Sequence, residues 1–159
     1  MSRIDELEKL RHRFRPSTIA TLFVGESAPA GGSFFYAADA QLYRTMKSAF
    51  AGSGDFLAAF MARGWFLDDL VLVPVNDKSA AERRRLHRQW MPSLARRIAA
   101  YRPRVVVSLL LSIEEVVGEA VAETGIAGLR HYALPYPGNR QQLRFKRELA
   151  RIVGELPTV

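Results

Sequence analysis

The chain has 159 residues, 48% of them hydrophobic, which is enough to fill one core and too little for two ordinary domains. No apolar run approaches the length of a membrane span, the first residues lack the apolar stretch of a secretory signal, and the absence of cysteine excludes a disulfide framework and a thiolate metal site. We therefore expect one domain over residues 1–159 that is cytoplasmic and monomeric and has no membrane partner.

The charge of the chain indicates one class of partner. Its formal value is +7, from 23 Lys and Arg against 16 Asp and Glu, and most of the cations are arginine. Such an excess attracts polyanions, and the guanidinium group suits bidentate contact with phosphate. The charge favours nucleic acid as a partner, although an arginine-rich composition imposed by a GC-rich genome accounts for the same numbers.

Helical and strand patterns alternate along the whole chain. Apolar residues at helical spacing predict six helices, and short apolar runs between them predict four strands. In chain order the predicted elements are a helix from Ser2 to Pro16, a strand at Thr18–Val24, helices at Ala38–Phe50 and Asp55–Arg63, a strand at Leu70–Val75, a helix from Ser79 to Tyr101, a strand at Val105–Leu111, a helix from Ser112 to Glu123, a strand at Leu129–Leu134 and a helix from Gln141 to Glu155.

Several details accompany these predicted elements. Capping boxes begin the helices at Ser79 and Ser112, Gly52-Ser53-Gly54 separates the second and third helices, and Pro92 should kink or divide the long helix. The apolar stripe of that long helix is Leu86, Trp90, Leu94 and Ile98. The last helix is expected to bury Phe145, Leu149, Ile152 and Val153.

The alternation of strands and helices predicts the fold class. Helices of this length between strands act as crossover connections, which join parallel strands and cover both faces of a sheet. We therefore predict an α/β protein, a three-layer α/β/α sandwich with a four-stranded, mostly parallel central sheet.

The segment Gly25–Tyr36 is the most informative loop of the sequence. It follows the first predicted strand and carries glycines, prolines, the carboxylate of Glu26 and the aromatic run Phe34-Phe35-Tyr36. Glycine allows close approach of a ligand, a carboxylate can act on a proton or a water, and an aromatic ring can stack on a planar ligand. The triplet also suits a core plug, in which case at most one of its rings touches ligand.

Two further loops should meet this segment at the same edge of the sheet. The loops that follow predicted strands are Gly25–Tyr36, Asn76–Lys78 and Pro135–Arg140. Because the carboxyl ends of parallel strands lie together, we expect Glu26, Asn76 and Asn139 to line one crevice. An amide offers a donor and an acceptor at fixed spacing, which matches the imide edge of uracil, but Asn76-Asp77 also suits an ordinary turn.

These motifs resemble those of a known superfamily. Gly25-Glu26-Ser27-Ala28-Pro29 resembles a Gly-Glu-Ala-Pro-Gly loop, and Leu134-Pro135-Tyr136-Pro137-Gly138-Asn139-Arg140 resembles a His-Pro-Ser-Pro-x-Asn motif. Together with the long helix and the strand after it, they make the chain similar to the uracil-DNA glycosylase superfamily, and most of all to its small microbial branches, from about Thr18 to Val153.

The resemblance implies roles for particular residues. Glu26 would be catalytic and help to place the hydrolytic water, Phe34 would stack on the extruded base with Phe35 as the second choice, and Asn76 would read the base edge. The implied substrate-binding residues are Gly25, Ser27, Phe34, Phe35, Asn76 and Asn139. The implied DNA-binding residues are Lys78, Pro135, Pro137, Gly138 and Arg140.

The chain also departs from the superfamily. Leu134 stands where the second motif begins with histidine, and His131, three residues earlier, would face the other side of its strand. Without cysteine an iron-sulfur cluster is excluded, and we expect no cofactor and no metal. His12 and His87 are interpreted as exposed residues in basic surroundings with no catalytic role, and the run Arg83-Arg84-Arg85 as a solvated helix face.

The leading hypothesis is a DNA base-excision glycosylase that flips a damaged or mismatched base, such as uracil or another deaminated base, into the crevice and hydrolyses its N-glycosidic bond. One alternative is a catalytically weak or inactive relative that binds nucleic acid or a nucleobase. Another is a flavodoxin-like module that holds a nucleotide or phosphate at Gly31-Gly32-Ser33.

Overall fold

The computed structural model describes residues 1–50 and 54–159, which form six α-helices and four β-strands. The helices are α1 (Arg3–Arg13), α2 (Gln41–Ala49), α3 (Phe56–Ala62), α4 (Ala80–Tyr101), α5 (Glu114–Glu123) and α6 (Gln142–Ile152), and the strands are β1 (Thr21–Ser27), β2 (Trp65–Val71), β3 (Val105–Ser108) and β4 (Arg130–Ala133). Gly52 and Ser53 of the predicted separator lie outside the described residues. Within the described ranges, no helix combines the length and hydropathy needed to cross a membrane.

The strands form one sheet in the order β2-β1-β3-β4, and every neighbouring pair is parallel. Helices flank this sheet, so the predicted three-layer α/β/α sandwich is confirmed. The chain passes from β1 to β2 on one side and then returns to β3 on the other side of β1. The sequence order therefore reverses direction beside β1, which is where open α/β sheets form their ligand crevices.

Strand β1 ends later than predicted, which changes the setting of the first motif. The predicted strand stopped at Val24, but parallel pairing with β2 continues through Gly25 opposite Asp69 and Ser27 opposite Val71. Glu26 is thus held at the end of a strand rather than in the following loop. Strands β3 and β4 are shorter than predicted.

Strand β2 lies further towards the N-terminus than the predicted Leu70–Val75. It runs from Trp65 to Val71 and is buried along its whole length. The adjacent acids Asp68 and Asp69 make this segment look polar in sequence, yet they are only 2% and 5% exposed. Arginines from two helices compensate their charges.

The helix ends agree with the sequence at some positions only. The capping box predicted at Ser79 is confirmed in part. The Ser79 Oγ accepts a hydrogen bond from the Glu82 N–H at 3.2 Å, but among the described contacts the Glu82 side chain does not bond back to Ser79. Helix α4 stays helical through Pro92. The cap predicted at Ser112 is wrong, because Ser112 lies in a short 3-10 turn and no side chain caps α5. Val153, predicted to be buried, is 38% exposed because α6 ends just before it.

Arg11 of α1 closes one part of the open edge of β2. It is 1% exposed, and its Nη2 donates to Asp69 Oδ2 at 2.6 Å while its Nη1 donates to the Leu67 carbonyl at 2.8 Å. The Leu67 N–H donates to the hydroxyl of Tyr36 at 2.7 Å. The backbone groups of Leu67 that face away from β1 are therefore satisfied by side chains, as buried polar groups require.

Arg97 of α4 closes the next part of the same edge. Its Nη1 donates to Asp68 Oδ2 at 2.9 Å and to the Asp69 carbonyl at 2.7 Å, and its Nη2 donates to the Leu70 carbonyl at 3.1 Å. The Tyr101 hydroxyl also donates to Asp68 Oδ2, at 3.0 Å. Burial acts to raise the pKa of Asp68, but Arg11 and Arg97 outweigh burial and hold that pKa below its ordinary value.

The Arg97→Met substitution should lower the free energy of unfolding by about 3 kcal/mol, because it leaves a buried carboxylate and two edge carbonyls without their main donor. Arg96→Met is the matched control, since Arg96 is exposed on the same turn of α4. Urea unfolding of both variants measures the difference. Equal effects of the two substitutions would contradict this account of the edge.

Candidate functional site

A cavity of about 400 Å³ opens at the carboxyl edge of the sheet, beside β1 where the strand order reverses. Its volume lies within the usual range for small-ligand pockets. Residues from the ends of all four strands or the loops that follow them line it. They include Gly25, Glu26, Ser27, Phe34, Phe35, Asp69, Val75, Asn76, Leu109 and Tyr136. The expected convergence of loops is therefore present for most of the candidate residues.

Glu26 is held in this cavity by a residue that sequence reasoning set aside. Its Oε2 lies 2.8 Å from Nε2 of His87, and its Oε1 lies 3.8 Å from Nη1 of Arg83. An ionised carboxylate only accepts hydrogen bonds, so Nε2 is the donor when Glu26 is charged. The side chains of Glu26 and His87 are 16% and 4% exposed, and the pair is shielded from solvent.

The interpretation of His87 as an exposed residue is wrong. It points inward because it shares a helix face with Met91, Leu94 and Ile98, at the spacing of an apolar stripe. The predicted apolar stripe contained Leu86 and Trp90 instead of His87 and Met91, but Leu86 and Trp90 are only partly buried. The spacing of His87, Leu94 and Ile98 was the sequence signal for an inward-facing histidine.

The two phenylalanines differ in their surroundings, although both line the cavity and both are 4% exposed. The guanidinium carbon of Arg11 lies 5.3 Å from the centre of the Phe34 ring, so a buried cation holds this ring in place. Phe35 packs into an aromatic cluster, with its ring centre 5.4 Å from that of Phe60. Phe34 is therefore the ring held between the cavity and the charged network, and Phe35 belongs more to the core.

Asn76 lines the cavity but already has a structural partner. Its Oδ1 accepts a hydrogen bond from the Ala30 N–H at 3.2 Å, which ties the loop after β1 to the loop after β2. The side-chain NH₂ group of Asn76 is the part of this amide that can serve a ligand as a donor. Lys78 is exposed beyond it, and its backbone N–H donates to the Val75 carbonyl.

The loop after β4 reaches the cavity through Tyr136 and not through Asn139. Asn139 is exposed and does not line the cavity, so the structure does not bring it together with Glu26 and Asn76. Both Asn139 and Arg140 have positive φ, 50° and 64°, in the turn just before α6. This turn directs both side chains to the exposed surface.

Most other residues around this loop lie in the protein interior and not in the cavity wall. Pro135 and Pro137 are buried, Gly138 is partly buried under the ring of Tyr136, and none of the three lines the cavity. Leu134 is 1% exposed and acts as a core residue. Burial and the negative charge of Asp69 raise the pKa of the Tyr136 phenol, which therefore stays protonated at neutral pH and can donate a hydrogen bond.

His131 does not replace the missing motif histidine in this cavity. Its Nε2 lies 2.8 Å from Oγ of the fully buried Ser108, and neither residue lines the cavity. Burial lowers the pKa of His131 below its ordinary value, so the ring is neutral at physiological pH. Within residues 1–50 and 54–159, no group of three or more His, Cys, Asp or Glu could hold a metal ion.

Asp69 adds a second carboxylate to the cavity, one that the sequence did not reveal. It pairs in register with Gly25, and a Cβ atom on Gly25 would lie 2.6 Å from Asp69 Oδ1. Only glycine leaves this oxygen its place over the end of β1. Burial raises the pKa of Asp69, and the charge of Arg11 opposes that rise.

The Gly25→Ala substitution should lower the free energy of unfolding by about 1–3 kcal/mol, because the new methyl group overlaps a carboxylate that Arg11 holds in place. Gly31→Ala is the matched control, since nothing lies within 4 Å of a Cβ there and its φ is not positive. Thermal and urea unfolding of both variants measure the effect. An unchanged stability of the Gly25 variant would show that Asp69 is free to move away.

No protein-family model matches this chain, and no curated protein matches it significantly. The superfamily resemblance therefore rests on the sequence motifs quoted above.

Proposed function

We propose that the protein is a DNA base-excision glycosylase, which binds DNA, takes a damaged or mismatched base into the cavity and hydrolyses its N-glycosidic bond. The resemblance suggests uracil or another deaminated base as substrate. The observation that carries the proposal is the Glu26–His87 hydrogen bond of 2.8 Å in the wall of a 400 Å³ cavity that Phe34 also lines.

Glu26 is the catalytic residue of the proposed reaction. Cleavage of the bond between C1′ and the base passes through a state in which the sugar carries positive charge, and a nearby carboxylate stabilises that charge. The oxygen of a water molecule bonds to C1′ as the bond to the base breaks, and Glu26 accepts the proton of that water. The departing base takes the bonding electrons and is then protonated by solvent water, and Glu26 returns its own proton to solvent.

His87 is a positioning residue in this proposal. It contacts Glu26 and not the reacting atoms, and its donation to Oε2 fixes the carboxylate. Oε1, which lies 3.8 Å from Arg83 Nη1, can still accept a hydrogen bond from the water or contact the sugar. Since His87 is almost fully buried among core residues of α4, this orientation is set before any substrate binds. Such preorganisation reduces the reorganisation needed at the moment of reaction.

Recognition of the base is assigned to the residues around Glu26. Phe34 stacks on the base, and Asn76, Gly25 and Ser27 contact it at the rim of the cavity. The phenol of Tyr136 supplies a donor to the departing base, where the superfamily motif has a histidine and this chain has Leu134.

Glu26→Gln should reduce the rate of base excision by at least about 100-fold, because an amide neither stabilises positive charge nor accepts the proton of the water. Excision is measured as alkali-labile sites in oligonucleotides that contain uracil, hypoxanthine, xanthine or mismatched thymine. Glu123→Gln, the same change at an exposed site at the end of α5, is the control. If the Glu26 variant cleaves as fast as wild type, the catalytic assignment is wrong.

DNA contact is assigned to cationic and loop residues beside the cavity. Arg140 and Lys78 are exposed on the loops after β4 and β2, and Pro135, Pro137 and Gly138 shape the first of these loops. Arg140 lies two residues before α6, where the first backbone N–H groups of a helix favour phosphate. The net charge of +7 attracts the duplex over a longer range.

The double variant Arg140→Gln, Lys78→Gln should bind duplex DNA more weakly and reduce the salt dependence of log K by roughly 2, about one unit for each lost phosphate contact. Fluorescence anisotropy with a labelled duplex over a series of salt concentrations measures both quantities. Arg96→Gln, an exposed arginine near the amino edge of the sheet, should leave the slope almost unchanged. Equal slopes in wild type and double variant would place the DNA elsewhere.

A second candidate function is nucleic-acid or nucleobase binding without cleavage. The observation in its favour is Leu134, which is buried where the superfamily motif carries its catalytic histidine. DNA binding that persists without excision of any base in the oligonucleotide series would favour this second function.

A further inference from the structure

Asp69 gives the cavity a second carboxylate beside that of Glu26. It lines the cavity from β2, it is 5% exposed, and its Oδ1 lies over Gly25, which lines the cavity as well. Glu26 follows Gly25 directly in β1. The proposed reaction requires one carboxylate, and Asp69 is therefore a second, unassigned one in the same space.

The two oxygens of Asp69 have different environments. Oδ2 accepts a hydrogen bond from Arg11 Nη2 at 2.6 Å, which orients the carboxylate. In the described part of the chain no donor lies within hydrogen-bond distance of Oδ1, and no sealed side-chain oxygen lacks a partner. Oδ1 is therefore not sealed, and it lies beside Gly25 in the cavity wall, where it can accept a hydrogen bond from a ligand.

The cation beside Asp69 does not compete for the ligand. Arg11 is 1% exposed and does not line the cavity, and its guanidinium group donates hydrogen bonds to Leu67, Asp69 and Glu8. Its charge stabilises the carboxylate from behind. On the cavity side, Asp69 Oδ1 is therefore an acceptor that Arg11 does not cover.

We infer that this cavity selects a heterocycle with two adjacent N–H donors, as in the N1–H and 2-amino group of guanine, and that Asp69 accepts hydrogen bonds from that edge. The inference rests on the proposed function, because it takes the cavity as the pocket for the extruded base. Within that function it replaces the deaminated bases that the resemblance suggests with a damaged or mismatched base that carries a 2-amino group. An imide edge such as that of uracil places a carbonyl oxygen on each side of its single N–H. When Asp69 is ionised through its pair with Arg11, those carbonyls would face an oxygen that can only accept, so the imide edge fits this side of the cavity poorly.

The inference is tested by equilibrium binding of small bases to the full chain, without DNA. The probes are 9-methylguanine, 9-methylhypoxanthine and 1-methyluracil, measured by isothermal titration calorimetry. The two purines differ only in the 2-amino group, which makes them a matched pair. We expect the guanine derivative to bind at least about tenfold more tightly than the hypoxanthine derivative, since a hydrogen bond to a charged group is lost, and the uracil derivative to bind most weakly.

Asp69→Asn tests whether this residue is responsible. An amide presents a donor as well as an acceptor, so the preference for the guanine derivative should fall several-fold. Asp77→Asn, the same change at an exposed position near this edge of the sheet, should leave the preference unchanged. Melting curves of both variants confirm folding, and if the Asp69 variant does not fold, the order of the ligands on the wild-type protein decides.

Three results would overturn the inference. These are equal binding of the two purines, an unchanged preference in a folded Asp69 variant, and no binding of any of the three probes to wild type. Because the measurement involves neither DNA nor cleavage, it separates the two proposals. A protein that excises bases without this preference would disprove the inference alone, and a selective binder without excision would disprove the proposed catalysis alone.

Discussion

The buried ion pairs of Arg11 and Arg97 with Asp68 and Asp69 are the interaction on which the rest of this structure depends. Strand β2 lies at the edge of the sheet, and the outward backbone groups of Leu67 and Asp69 have no neighbouring strand. Two arginines from different helices supply the missing donors and compensate two buried carboxylates at the same time. This fixes β2 beside β1, and the end of β1 carries Glu26.

The charge of the protein as a whole and the charge inside its cavity have opposite signs. The protein as a whole carries a charge of +7, and exposed arginines make its outer surface attractive to a polyanion. Its cavity is lined by Glu26 and Asp69, two carboxylates that differ in their partners, a histidine for one and an arginine for the other. The outer charge suits the polyanionic partner proposed above, and the two carboxylates suit a ligand with N–H donors or positive charge.

Local periodicity in the sequence was sufficient to predict the fold class and the positions of some residues of the candidate site. Alternating strands and helices imply a parallel sheet, and such a sheet brings the loops after its strands together, which placed Glu26, Phe34 and Asn76 correctly in one cavity. Asp69 and His87 escaped this reasoning because their roles depend on partners far away in sequence, namely Arg11 for one and Glu26 for the other.

The arrangement around Leu67 also bears on the exposure of the sheet edge. Its outward N–H and carbonyl are satisfied by Tyr36 and by Arg11, which comes from the first helix. A chain that lost this helix would present an unpaired strand rim, and such a rim is a template for backbone pairing with a second polypeptide. Helix α1 therefore supplies the side chain that occupies the Leu67 carbonyl and leaves it unavailable to a further strand.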